Sequence, residues 1–142
     1  MSINYYKNQI EPNSKDVYVF GSNKDGEHIY GYSKIAKTYF GAKDNLGEGL
    51  AGNSYALPLY EKIGKHDISD KDILCSIEKL YNTALSNPDK KFKLAFSKCL
   101  DNILISGHTE LDIAELFKQS FNQSKLPDNI YFPEYWSVVL EK

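Results

Sequence analysis

Seven of the nine glycines in this 142-residue chain fall between Gly21 and Gly52. Glycine loses more backbone entropy on folding than any other residue, so such a cluster needs tight turns of positive φ or a backbone that approaches something closely. The stretch reads VYVFGSNKDGEHIYGYSKIAKTYFGAKDNLGEGLAGNSYALP. Its continuous apolar run, Val17 to Phe20, is the pattern of a strand buried on both faces, and it feeds directly into Gly21-Ser22-Asn23. A polar loop leads to Gly31, which opens a helix with Ile35, Ala36, Tyr39 and Phe40 as one inward stripe. A second loop, Gly47 to Gly52, leads into the apolar run Tyr55-Ala56-Leu57-Pro58. Ordinary turns account for Gly26 and Gly41. Gly21-Ser22-Asn23 and Gly47-Glu48-Gly49 sit beside strands of an expected parallel sheet, where glycine-rich loops and helix N-termini can cradle an anionic ligand.

Downstream, periodicity alternates between helix and strand. Residues before Asp16 read as a short edge strand and a turn, and Glu61 to Asp67 as a surface loop with a solvated His66. Ser69 caps a helix whose stripe is Ile73, Leu74, Ile77, Leu80, Tyr81, Ala84 and Leu85, with Asp72 favouring its positive end. Asn87-Pro88-Asp89 ends it. Phe92, Leu94 and Phe96 alternate with polar residues as a strand, and Leu100 to Gly107 form a loop. Thr109 caps a further helix, with Asp112 three residues on and Ile113, Ala114, Leu116, Phe117 and Phe121 facing inward. Ile130-Tyr131-Phe132 is a last strand before Pro133. This alternation specifies an α/β fold in one domain, residues 1–142.

Charge and cysteine usage narrow the function classes. With 17 Lys+Arg against 19 Asp+Glu the formal charge is −2, which argues against a dedicated nucleic-acid binder; Lys90, Lys91 and Lys93 read as a solvated strand edge. Cys75 and Cys99 lack CxxC spacing, so neither a zinc site nor a disulfide framework is expected, and a reducing, cytoplasmic compartment is favoured. Cys75 falls in a helical apolar stripe and reads as core. No apolar run approaches a membrane span and no signal-peptide pattern opens the chain, so no membrane partner is expected.

FGSN at the end of the first buried strand, a Gly and a His after it, Gly31 opening a helix, and GEGLAGNSYALP together resemble a small family of phage-associated and bacterial macro-domain-like proteins. SGHTELDIAELF and NIYFPEYW are similar to that family's last helix and last strand. The resemblance implies a three-layer α/β/α fold on one mixed, mostly parallel sheet. It also implies a module that binds ADP-ribose or an ADP-ribose-derived nucleotide, as a sensor or a sequestering protein for NAD-derived signals in antiphage defence or counter-defence. The compartment implied is the bacterial cytoplasm, or that of the host cell for a phage-encoded protein. Two other readings stand beside it: an ADP-ribosyl hydrolase, and a protein-interaction domain without ligand.

By that resemblance Asn23, after the strand ending Gly21-Ser22, contacts the distal ribose, the favoured role; the alternative is a turn residue, for which Asn is common. Gly31 lets backbone approach ribose and phosphate, or serves as a plain cap. His28 is a ligand contact only through the family's His at this point. In Gly47-Glu48-Gly49-Leu50, Glu48 can accept from a pair of ribose hydroxyls or stand as solvated charge. Where the family carries a glycine-rich GxGxAG-type turn, this chain has Cys99 to His108 with one glycine. Ser106-Gly107-His108 still precedes a helix, whose free N–H groups can take an anion, while Asp101 opposes one. No catalytic residue is assigned: Asp25, Glu27 and Glu48 read as solvated carboxylates, and nothing orients a Cys99–His108 pair. No metal or cofactor is expected.

Overall fold

The computed structural model describes residues 2–12, 15–61, 68–96 and 98–142. In chain order the elements are β1 (Asn4–Tyr6), β2 (Val17–Asn23), α1 (Gly31–Tyr39), β3 (Gly49–Ala51), β4 (Ser54–Tyr60), α2 (Asp70–Leu85), β5 (Phe92–Leu94), α3 (Glu110–Ser120), β6 (Ile130–Pro133), a 3-10 turn (Glu134–Trp136) and α4 (Ser137–Leu140). The strands form one six-stranded sheet in the order β1-β6-β5-β2-β4-β3. Every pairing is parallel except β3 with β4. The class is therefore α/β, as the alternation of the sequence specifies; the sheet is mixed and mostly parallel, and β1 takes its expected place at an edge.

Because side chains alternate along a strand, β2 divides its apolar run between two clusters. Val17 and Val19 join the larger one with Ile73, Ile77 and Leu80 of α2, Ile113 and Phe117 of α3, and Trp136. Tyr18 and Phe20 join a smaller one with Ala36 and Phe40. Trp136, Phe117 and Phe132 are fully buried, and each such side chain stabilises the fold by roughly 1.5–3 kcal/mol. The 3-10 turn that places Trp136 there, and α4 after it, are elements that no local signal announced. The second face receives much less cover, since α1 is the one helix among the described residues that contributes to the smaller cluster.

That thin cover corrects the expected stripe of α1. Ala36 and Phe40 are buried, whereas Ile35 and Tyr39 are 41% and 59% exposed. They form the neighbouring i, i+4 row, and a nine-residue helix lying alone on its face buries only the row that meets the sheet. Cys75 is likewise exposed rather than core, because Ser76 and Ile77 hold the inward row of α2. Gly49–Ala51 is an edge strand, not loop: the turn at Gly52-Asn53 folds β3 back on β4. β5 is an interior strand, so Lys93 is no solvated edge; it pairs with Asp16 at 2.7 Å and lies over the Tyr6 ring. Phe96 lies beyond the end of β5 yet is buried. Residues 62–67, including the expected surface His66, fall outside the described residues. No helix among the described residues is long and apolar enough to cross a membrane.

Candidate functional site

Five strands share one direction, so their carboxyl ends line one edge of the sheet. From β2 the chain moves outward to β4 and then crosses back to β5 on the other side of β2. Connections therefore diverge between β2 and β5, and this leaves a crevice of the kind in which open α/β sheets bind ligands. A narrow pocket of ≈ 150 Å³ lies there, bounded by Gly21 of β2, Leu59 and Tyr60 of β4, Gly31 and Ser33 of α1, and the loop Asn102 to Ser106. A wide groove of ≈ 800 Å³ adjoins it over the thinly covered face, walled by Tyr6, Tyr18, Ile35, Tyr39 and Tyr135. Tyr32, Phe96 and Lys98 line both compartments. The exposed Ile35 and Tyr39 are thus the groove's α1 wall.

Of the residues singled out from the sequence, Gly21, Gly31 and Ser106 meet at the narrow pocket. Gly31 begins α1 at φ +58°, a conformation open chiefly to glycine. No side chain caps this helix, because Tyr30 precedes it. Ser106 is buried; its Oγ lies 2.9 Å from Nδ1 of His108 and accepts from the His108 backbone N–H at 3.3 Å. The imidazole is therefore engaged with serine, and its ring forms part of the loop's own frame rather than a thiol–imidazole pair with the exposed Cys99.

The others lie elsewhere, and their contacts explain why. Asn23 is fully buried. Its Oδ1 accepts from the Glu27 backbone N–H at 2.8 Å and its Nδ2 donates to the Glu27 carboxylate at 3.4 Å, so it closes the β2–α1 loop as a turn residue. Ser22 is buried and donates to the Asn23 carbonyl at 2.9 Å. His28 is buried edge-on against Phe20 with ring centroids 5.2 Å apart, and neither ring nitrogen has a partner among the described residues. Gly47 is required by packing: a Cβ there would lie 2.2 Å from the Lys24 carbonyl oxygen. Glu48 is neither free nor at the cleft, since it pairs with Lys79 of α2 at 3.5 Å. Gly49 starts β3, and Leu50 packs against the larger core.

The third loop differs most from expectation. The leading amides of α3 are already satisfied: Thr109 and Asp112 form a reciprocal capping box, Glu110 N–H donates to the Asn102 carbonyl at 3.0 Å, and Leu111 N–H donates to the Leu100 carbonyl at 3.0 Å. Gly107, with φ +86°, donates to the Leu104 carbonyl at 2.9 Å. The free N–H groups expected before α3 are thus filled by the chain itself, and this helix start is closed to an anion.

Several cleft residues carried no signal of their own: Tyr6, Tyr32, Tyr39, Phe96, Lys98, Asn102 and Tyr135. The rule that could have found three of them is positional, since Tyr6, Phe96 and Tyr135 lie at or just after the ends of parallel strands. Burial raises the Tyr6 and Tyr18 hydroxyls well above the ordinary tyrosine value, so both stay neutral; Tyr6 donates its hydroxyl to the Leu94 carbonyl, and both residues offer the groove their rings. Lys98 is exposed where the compartments meet, and Lys7 of the wide groove is paired with Glu134 at 3.4 Å. No group of three or more His, Cys, Asp or Glu among the described residues is arranged to hold a metal ion. The sequence matches no protein-family model and no curated protein.

Proposed function

We propose that this chain is a binding module for a nucleotide of ADP-ribose type, held along the cleft at the carboxyl ends of its parallel strands. The observation that carries the reading is the position of the cleft, at the point where the strand connections diverge. Its two compartments differ in chemistry as the two ends of such a ligand do. The wide groove offers aromatic rings on which a base can stack, and its ≈ 800 Å³ lies within the usual range of ligand sites. The narrow pocket offers Ser106, Asn102 and the backbone at Gly31 to a sugar. Lys98, lining both, supplies a positive charge for phosphate between them. The FGSN and GEGL…SYALP resemblance supports the same ligand class. A binder without assigned acid–base groups suits sensing or sequestering an NAD-derived signal better than hydrolysing it.

Because the amides before α3 are committed, phosphate recognition shifts from the third loop to Lys98 and the opening turn of α1. Calorimetric titration with ADP-ribose, AMP, NAD and unphosphorylated adenosine tests this. ADP-ribose is expected to bind, adenosine more weakly, and Lys98→Glu to weaken ADP-ribose by about tenfold or more, a loss of roughly 1.4 kcal/mol. The loss for an exposed charge should shrink as salt is raised. Absence of heat with every nucleotide overturns the reading and leaves the protein-interaction alternative.

A further inference from the structure

Glu110 is a fully buried carboxylate that none of the sequence arguments singled out. It opens α3, where the helix dipole favours negative charge, and its hydrogen-bond partners are neutral donors. Oε1 accepts from Nδ2 of Asn102 at 3.1 Å. Oε2 accepts from the Tyr135 hydroxyl and from Nε1 of Trp136, the latter at 3.4 Å. Asn102 lines the narrow pocket and Tyr135 the wide groove. The two oxygens of one group therefore each hold one wall of a different compartment. A buried carboxyl group is costly to keep unless it is hydrogen-bonded, and here its donors come from the third loop and from the turn after β6.

We propose that Glu110 is the positioning residue of the cleft, setting Asn102 and Tyr135 in register so that one ligand can span both compartments. The proposal rests on the nucleotide-binding reading. Pre-setting both walls lowers the ordering cost of binding. Glu110 itself touches no ligand. The chain has a single tryptophan, and Trp136 both donates to Glu110 and stacks on Phe96, with ring centroids 5.1 Å apart. Phe96 lines both compartments, so tryptophan emission reports on this junction directly.

The test compares wild type, Glu110→Gln, Tyr135→Phe and the double variant by ADP-ribose calorimetry, Trp136 emission and amide hydrogen exchange. Glu110→Gln keeps the shape but replaces an acceptor by a donor. It should remain folded, shift the emission of the free protein, speed exchange across residues 102–107, and lower affinity on the order of tenfold. Tyr135→Phe should cost severalfold in wild type and little more in the Glu110→Gln background, since both act through one link. Wild-type affinity in Glu110→Gln, or an equal Tyr135→Phe loss in both backgrounds, overturns the proposal. Should Glu110→Gln fail to fold, Tyr135→Phe decides alone, because deleting one hydroxyl from a part-buried ring leaves the core intact; unchanged affinity then refutes the link. Should wild type bind no ADP-ribose, the nucleotide reading falls by itself. The positioning of the third loop is then decided by exchange in the free protein, and unchanged rates at 102–107 overturn it.

Discussion

A buried Asn after a strand can serve a ligand or a turn, and its contacts decide. Both ends of the Asn23 amide are occupied by Glu27, so Asn23→Ala should act on stability: a loss of about 1–3 kcal/mol from an unpartnered Glu27 N–H, read by urea denaturation, with ADP-ribose affinity changed less than twofold. A clear loss of affinity without destabilisation would return Asn23 to the site. The glycines separate in the same manner. A Cβ on Gly47 would meet the Lys24 carbonyl at 2.2 Å, whereas one on Gly21 would meet the tip of Leu59, which can rotate, at 2.7 Å. Gly47→Ala should therefore destabilise by roughly 1–3 kcal/mol. Gly21→Ala should leave the melting temperature nearly unchanged while narrowing the pocket and weakening ligand binding. Equal thermal shifts in the two variants would contradict this division.

At the scale of elements, the helix starts are unequal. α2 and α3 carry side-chain caps, Ser69 and Thr109, while α1 has none. The capping box closes α3 by local chemistry that S/T-x-x-D spacing announces. Thr109→Ala should cost about 1 kcal/mol of stability, measured by thermal or urea unfolding, without weakening ADP-ribose. If affinity falls in parallel with stability, the start of α3 belongs to the ligand site after all. α1 lies alone over Tyr18 and Phe20, and its exposed Ile35–Tyr39 row is what leaves a groove beside it. A second helix on that face would have buried the row and filled the cleft.

For the molecule as a whole, phenols of both the sheet and α2 are shielded from solvent by the two clusters. Tyr6, Tyr18 and Tyr81 are each raised from the ordinary 10.0, chiefly by burial. A raised folded-state value means that the native state holds protons the unfolded chain has released, so their contribution is intact below about pH 10 and declines as pH rises toward the folded values. Denaturant midpoints should therefore stay level from neutrality to about pH 9.5 and fall beyond it. Tyr81→Phe, which removes the hydroxyl bonded to Ser120, should flatten part of that fall. A midpoint that stays level past pH 10 would show these hydroxyls to be exposed to solvent.

Short-range physics made much of the architecture readable before any coordinate. The apolar run at Val17 to Phe20, the period of Ile73 to Leu85 and the caps at Ser69 and Thr109 depend on residues within a turn or two of one another, so α/β alternation followed from the sequence itself. Glycine density between Gly21 and Gly52 likewise announced close backbone approach. It did not say to what, and tertiary structure answered differently at each site: chain against chain at Gly47, cleft wall at Gly21 and Gly31. Which strands are neighbours was decided by non-local pairing, such as Tyr5 with Phe132, and only that pairing brings Tyr6, Phe96, Lys98 and Tyr135 to one crevice. The closure of α3 was half legible, since the capping box is written in sequence. The carbonyls of Leu100 and Asn102 that complete it are set by backbone torsions no residue type dictates. Glu110 is the sharpest case: a carboxylate opening a helix looks solvated from sequence, and burial by the turn after β6 makes it the tie between two walls.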